Sequence, residues 1–290
     1  MRILFLGTPQ FAVPTLDAVA REHEIVLVVA QPDKPSGRGM QLHAPPVAVR
    51  AKELGLPLAQ PAKIRELQHV DADLGVVIAY GKILPASLLA IPKHGFINVH
   101  ASLLPKYRGA APIQRAIENG ETTTGVTIMR VDEQLDHGPM LDIARLDIGP
   151  DEHTPSLASR LSVLGAETLL QALTSLREGT PQDHAQATYA PKIEKEEGLV
   201  NWNEPARVIY NKYRAFDPWP AIFTTDGIKL FDLTAGDEHG TPGAIIRIDD
   251  EVVFATGEGS LHVRTMQRPG KPRARATDVA RGLGWLSPRA

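Results

Sequence analysis

The sequence predicts an α/β fold: a Rossmann-like twisted mixed sheet with helices on both faces, followed by a small C-terminal β-barrel of the oligonucleotide-binding type. Three observations predict it. Short apolar, β-branched runs alternate with helix-period segments from Met1 to Gly179, and such alternation builds a parallel or mixed sheet covered by helices. The pattern breaks at Thr180, where a polar, irregular stretch begins. From Ala221 onward come five short strand candidates with glycine turns between them, as in a small barrel. The expected boundaries are 1–180 for the first domain, 181–203 for a linker and 204–290 for the C-terminal domain.

The elements follow in chain order. Ile3 to Leu6 is a fully apolar strand ending at Gly7-Thr8-Pro9, and Phe11 to Arg21 carries Ala12, Leu16 and Val19 at helical spacing. Glu24 to Ala30 completes a βαβ unit of ordinary length. Gln31 to Pro46 holds prolines, glycines, Lys34 and Arg38 and reads as a mobile loop rather than a helix or strand. A loop of that length inside a domain is either functional or an inconsequential insertion. Pro46 to Leu54 reads as helix, Leu74 to Tyr80 as a buried strand, Phe96 to Val99 as another, and Ala111 to Asn119 as helix. Thr124 to Val131 and Met140 to Leu146 are strand candidates. Thr154 to Arg177 is a long amphipathic helix with Leu157, Leu161, Leu164 and Leu173 on one side and Gly179 beyond its end. Thr180 to Asn203 reads as a linker, and Glu204 to Phe216 as a helix closed by Asp217-Pro218-Trp219-Pro220. The strand candidates Ala221 to Thr225, Ile228 to Leu233, Gly243 to Ile248, Val252 to Thr256 and Leu261 to Thr265 follow, and Thr277 caps a last helix through Arg281.

Composition bounds the function. The chain of 290 residues is 43% apolar and 22% charged, and none of its apolar runs is long enough to span a bilayer. With no secretory or transit segment ahead of its first strand, it is expected to be cytoplasmic, a monomer and without a membrane partner. No cysteine is present, which excludes disulfides and thiolate metal sites, and the ten histidines lack metal-ligand spacing, so no metal is expected. The net charge of −3 hides a basic C-terminal stretch of Arg264, Arg268, Lys271, Arg273, Arg275, Arg281 and Arg289 against Asp278. Such a run is either a solvated surface or a contact for a polyanion. The glycine-rich dinucleotide fingerprint is absent after Gly7, which argues against a dehydrogenase.

The chemistry concentrates in HGFINVHASLLPKYRGAAPIQ, His94 to Gln114, and QLDHGPML, Gln134 to Leu141. Asn98 and His100 stand two apart in a strand and so share one face, beside the irregular loop at the strand's C-terminal end. Open α/β sheets bind ligands there. Asp136 supplies a third polar group. Singly, each has an ordinary reading: strand-end Asn and His are mostly hydrogen-bonded structural residues, and an Asp before His-Gly is mostly a turn residue.

In combination, FINVHASLLPKYRGAAPI followed by LDHGPML resembles the formyltransferase family that uses 10-formyltetrahydrofolate. FLGTPQFAVP at Phe5 to Pro14, QPDKPSGRG at Gln31 to Gly39, AYGKILP, APKIEKEEG at Ala190 to Gly198 and RAFDPWPAIF at Arg214 to Phe223 extend the resemblance along the chain. His137 stands where the family more often has Thr or Ala; Asp136 and Gly138 are intact, so His137 is taken as neutral. The arginine-bearing loop, the RAFDPWP helix exit and the extra C-terminal domain favour, within the family, an acceptor carried on initiator tRNA. The implied reaction moves the formyl group of 10-formyltetrahydrofolate to the α-amino group of methionine esterified to that tRNA, for translation initiation.

The resemblance also implies roles. Asn98 and His100 donate hydrogen bonds to the oxyanion, and Asp136 fixes the imidazole and passes the amine's proton onward through water. Ser102, Leu103, Leu104 and Pro105 shape the folate site, the backbone around Ile83 and Leu84 meets the pterin, and Phe11 borders the methionyl side chain. Lys34 and Arg38 enter the acceptor stem, with Arg264, Arg268 and Lys271 on phosphates. Two rivals stay open on the sequence: a formyltransferase acting on glycinamide ribonucleotide or an amino sugar, and a non-catalytic RNA-binding protein that keeps the fold.

Overall fold

A computed structural model describes residues 1–36, 41–67 and 70–285. It contains two compact units: Met1–Pro112 with Thr123–Asp147 and Leu157–Ala190, and Ile113–Thr122 with Ile148–Ser156 and Pro191–Ala290.

In the first unit, β1 (Arg2–Gly7) is followed by α1 (Val13–Glu22), β2 (Glu24–Val29), β3 (Lys34–Ser36), β4 (Gln41–His43), α2 (Pro46–Glu53) and β5 (Leu58–Ala59). Then come β6 (Leu74–Ile78), α3 (Ala86–Leu89), β7 (Phe96–His100), β8 (Arg108–Gly109), β9 (Thr123–Arg130), β10 (Met140–Asp147), α5 (Thr154–Leu173) and finally β11 (Tyr189–Ala190), while α4 (Pro112–Glu118), between β8 and β9 in the chain, belongs from Ile113 onward to the second unit. Seven strands form one mixed sheet in the order β10-β9-β7-β6-β1-β2-β5. Pairings from β5 through β7 are parallel, and β9 runs antiparallel to both β7 and β10. Ile3, Leu4, Phe5 and Leu6 are all fully buried, so both faces of β1 are covered, which is why the strand reads as an unbroken apolar run. On one face Leu4, Leu6, Val29 and Phe96 pack with Tyr80 and Leu88.

The strand order reverses at β1, which lies between β2 and β6. Ligand crevices of open α/β sheets form at the carboxyl ends of strands at such a reversal. Here the ends are tied together: the Thr8 hydroxyl (3.0 Å) and the Gln31 amide (3.2 Å) both donate to the Tyr80 carbonyl.

Three first-unit expectations change. Gln31 to Pro46 is not wholly irregular, because β3 and β4 pair antiparallel. Backbone pairing alone builds that ladder, and proline at an isolated, two-stranded edge is tolerated. The helix α5 stops at Leu173 rather than Arg177: Thr174 Oγ1 turns back to the Gln171 carbonyl (2.7 Å), and the Arg177 carbonyl accepts from the Arg130 guanidinium (2.7 Å), which draws the chain out of helical register. The stretch after Thr180 also contributes a strand, β11, parallel to β8.

In the second unit, α6 (Ala206–Ala215) precedes β12 (Ile222–Phe223), β13 (Lys229–Gly236), β14 (Ile245–Ile248), β15 (Val252–Ala255), β16 (Ser260–Gln267), β17 (Arg273–Arg275) and α7 (Ala276–Gly282). The strands form a barrel-like antiparallel sheet, β12-β13-β16-β15-β14, with β17 on the far end of β16. The helix α6 begins two residues later than expected, with Pro205 as its N-cap, because the residue before a proline is kept extended. Thr277 lies inside α7 and is buried rather than capping it; the N-cap is Arg275, the last residue of β17, whose side chain makes no capping hydrogen bond. The strand β17 has no apolar alternation to signal it; the Arg273 guanidinium lies 3.6 Å from the Phe231 ring centroid instead.

Candidate active site

The site is built on the last residues of β7. Asn98 pairs with Val77 of β6 and Met129 of β9, and His100 with Thr127 of β9, so both side chains stand on one face of the sheet. Asp136, in the turn between β9 and β10, meets them. Its Oδ1 lies 3.5 Å from Asn98 Nδ2 and 3.7 Å from His100 Nδ1. Its Oδ2 accepts the Gly109 N–H at 2.8 Å. The His100 and Asp136 side chains are only 6% and 13% exposed, so their interaction is weakly screened.

The imidazole's orientation follows from its partner. His100 Nε2 is 2.9 Å from the Tyr107 carbonyl, which can only accept, so Nε2 carries a proton. Nδ1 is therefore the nitrogen that faces Asp136. In a neutral ring it presents a lone pair there; in an imidazolium it presents a second N–H toward the carboxylate and the space beside Asn98.

Two backbone outliers sit at the site. Asp136 has φ +48 and Tyr107 φ +62, a left-handed conformation that a non-glycine residue holds only when its surroundings impose it. For Asp136 the surroundings are explicit. The Gln182 side-chain amide donates to the carbonyls of Asp136 (2.9 Å) and Gly138 (2.8 Å). A Cβ on Gly138 would lie 2.0 Å from the Arg130 carbonyl oxygen, so no larger residue fits the turn. Gly109, with φ +120, is held against Ala190 of β11, whose carbonyl oxygen would be 2.7 Å from a Cβ. Sequence reasoning missed Gln182 and Arg108; neither stands in a periodic pattern. His137 is not idle: it stacks on His184 with ring centroids 4.0 Å apart, and its Nδ1 donates to Asp132 (2.7 Å).

The other expected site residues fall in different surroundings. Ser102 and Leu104 are buried in the turn after β7, where the Thr127 hydroxyl donates to the Ser102 carbonyl (2.7 Å) and accepts from the Leu104 N–H (3.1 Å). Leu103 and Pro105 are half-buried beside them. Ile83 is 86% exposed, whereas Leu84 packs on the core under β1 and β6. Phe11 is half-buried in the short turn Gln10–Ala12 just after Thr8. Lys34 lines a cleft of about 240 Å³ with Thr8, Gln31, Pro32, His43, Ala44 and Pro45. Arg38 lies outside the described residues. In the second unit, Arg268 and Lys271 are exposed, and Arg264 Nε is paired with Glu251 at 3.3 Å. Among the described residues no cluster of three or more His, Asp or Glu side chains is placed to hold a metal, and no helix is long and apolar enough to cross a membrane.

Comparison with known proteins decides the family. The formyl transferase family model matches residues 1–173, and the model for the formyl transferase C-terminal domain matches 192–284. The chain belongs to the formyl transferase family. Among its relatives, the methionyl-tRNA formyltransferase of Geobacter metallireducens is 46% identical over 97% of this chain and 96% of its own length. The same-named protein of Thermus thermophilus is 45% identical over 98% and 97%. Among solved formyltransferases, the N-formyltransferase of Helicobacter canadensis, crystallised with folinic acid and dTDP-3-aminofucose, superposes with a TM-score of 0.72 at 17% identity, covering 91% of this chain and 98% of that one. At that identity the likeness is one of fold.

Proposed function

We propose that this formyl transferase moves the formyl group of 10-formyltetrahydrofolate to the α-amino group of methionyl initiator tRNA, acting as a cytoplasmic monomer. The observation that carries the reading is the meeting of an amide, an imidazole and a carboxylate at the carboxyl end of β7, within 3.5–3.7 Å of one carboxylate oxygen. End-to-end likeness to proteins named for that reaction supports the acceptor.

The folate supplies the one-carbon unit at the formyl oxidation level; the protein supplies hydrogen bonds and a route for a proton. An α-amino group titrates at about 7.7–8.0 in model compounds, so near neutral pH part of it is already a nucleophile. No covalent nucleophile is required. As the amine adds, charge grows on the formyl oxygen, and Asn98 Nδ2 donates to it. Its contact with Asp136 is long, so the donor is not committed elsewhere. His100, fixed through Nε2–H to Tyr107, offers Nδ1–H from the imidazolium. Asp136 stabilises that cation and relays the amine's proton through water to the departing folate nitrogen, so that the new bond from the amine to the formyl carbon replaces the one broken to tetrahydrofolate, which leaves carrying that proton. Ser102, Leu103, Leu104 and Pro105, with the backbone at Ile83 and Leu84, border the folate, and Phe11 borders the methionyl side chain. Lys34 and Arg38 reach the acceptor stem, and residues 204–290 bind tRNA through Arg264, Arg268 and Lys271 on phosphates.

The test offers labelled 10-formyltetrahydrofolate to the enzyme with charged initiator tRNA, with glycinamide ribonucleotide and with a nucleotide-linked amino sugar in parallel. Label entering only the tRNA supports the reading. Label entering a small amine and not the tRNA refutes it.

A further inference from the structure

We propose that Gln182 is a positioning residue that sets the aim of Asp136, and that Arg108 locks Gln182 in the one orientation able to do so. The inference rests on the role given to Asp136 above. Gln182 lies in the polar stretch after Thr180, yet it is only 5% exposed. A primary amide has two N–H donors on nitrogen and two lone pairs on oxygen, and here all four are used. Nε2 donates to the carbonyls of Asp136 (2.9 Å) and Gly138 (2.8 Å). Oε1 accepts from Arg108 Nε (3.2 Å) and Nη2 (2.6 Å). A flipped amide would set its oxygen against two carbonyls and its nitrogen against a guanidinium. Arg108 itself is buried, 4% exposed, and its Nη2 also donates to His184 Nδ1 at 2.8 Å.

The same two-residue strand therefore holds Asp136 at both ends. Arg108 acts on its backbone through Gln182, and Gly109 acts on its carboxylate through a 2.8 Å N–H bond. The backbone clamp bears on a residue whose φ is +48, a conformation that relaxes unless it is held. With Oδ2 taken by Gly109, Oδ1 is left turned toward Asn98 and His100. No other side chain of similar size reproduces the clamp. Glutamate keeps the contact with Arg108 but points a second acceptor at the two carbonyls. Leucine satisfies neither side.

The test compares wild type with Gln182→Glu and Gln182→Leu in three measurements: formyl transfer to charged initiator tRNA, release of formate from 10-formyltetrahydrofolate in the absence of tRNA, and the crystal structure of each protein, which reads the position of the Asp136 carboxylate. Gln182→Glu is the informative variant, because its new ion pair with Arg108 supports folding while the clamp on Asp136 is lost. The expected result is a fall in kcat of about tenfold or more in both reactions. KM for folate and tRNA stays within about twofold, and Asp136 Oδ1 is displaced from its place 3.5 Å from Asn98 Nδ2. The loss of Asp136 alignment is overturned if Gln182→Glu, whatever its melting temperature, keeps its kcat and the wild-type position of the Asp136 carboxylate. Should wild type release formate and yet leave tRNA unformylated, the acceptor assignment fails while Gln182 is still judged on hydrolysis. Should it do neither, the crystal structure alone decides: an unmoved Asp136 carboxylate overturns the inference, a displaced one supports it. Gln182→Leu, if folded, should show the same displacement.

Discussion

Replacing Asp136 by asparagine separates the charge of this residue from its shape. The asparagine oxygen can still accept the Gly109 N–H that Oδ2 accepts at 2.8 Å, and the backbone clamp from Gln182 is untouched, so the turn keeps its anchors. What disappears is the negative charge 3.7 Å from His100 Nδ1. Two unit charges about 4 Å apart interact by about 4 kcal/mol at an effective dielectric constant of 20, and the near-complete burial of both side chains makes that value more apt than the bulk-water one. Every 1.36 kcal/mol is a factor of ten in rate, so kcat should fall by about 10²–10³ while KM changes little. In addition, the new amide N–H₂ meets Asn98 Nδ2 donor to donor, which misdirects the second hydrogen bond. The assay is steady-state formyl transfer to charged tRNA with folate and tRNA varied independently, alongside a thermal melt. An Asp136→Asn enzyme with kcat within fivefold of wild type would refute the electrostatic role. So would one that loses efficiency wholly through KM, since that is the mark of uniform binding.

Other parts of the molecule make separate predictions. The Tyr80 hydroxyl is buried without a hydrogen-bond partner among the described residues, and an unsatisfied polar group costs about 1–3 kcal/mol. Tyr80→Phe should therefore leave stability unchanged or raise it by up to about 2 kcal/mol in denaturant unfolding; a clear loss would show that the hydroxyl has a partner. In the second unit His262 lies between Glu251 (2.6 Å) and Glu238 (2.9 Å). Burial opposes the imidazolium, but the two carboxylates outweigh it and raise the His262 pKa, while bonds from Ser260 and His262 hold Glu238 down at about 2. The Glu238 contribution is present above its ordinary value of 4.5 and is lost as pH falls toward 2; the His262 contribution is present below 6.5 and is lost as pH rises through its raised value. Melting temperature should thus decline above pH 6.5 in wild type and decline less in His262→Gln, and parallel profiles would contradict this. Alanine at the exposed Arg268 and Lys271 should each lower the salt slope of tRNA binding by about one, and Arg264→Ala should do less because Arg264 is already paired with Glu251. Unchanged slopes in all three would remove the phosphate contacts.

Much of this architecture was legible because burial writes itself into residue type. The β1 run is apolar on both faces since both are covered, and the two-residue spacing of Asn98 and His100 carries their shared direction in the sequence itself. Strand-end position then put the amide and imidazole at the carboxyl end of β7, and the LDHGPML stretch pointed to Asp136. Other features left no such trace. The β3–β4 ladder depends on backbone pairing among prolines and polar residues, and β17 on a guanidinium stacked on Phe231. The end of α5 depends on Arg130 reaching the Arg177 carbonyl. Gln182 is an isolated amide in a polar stretch, and only folding gives it four partners. Its nearest signal was the pattern break at Thr180, which reads as a linker until β11 is seen to pair with β8.

The most direct measurement follows labelled formyl from 10-formyltetrahydrofolate onto methionyl initiator tRNA with wild type and with Asn98→Ala. The long 3.5 Å contact to Asp136 means the amide contributes little to folding, whereas losing an oxyanion donor costs about 10²–10³ in rate. Wild type should transfer label robustly and the variant should lose kcat by that factor, with the melting temperature unchanged. Equal transfer by the two proteins would contradict it.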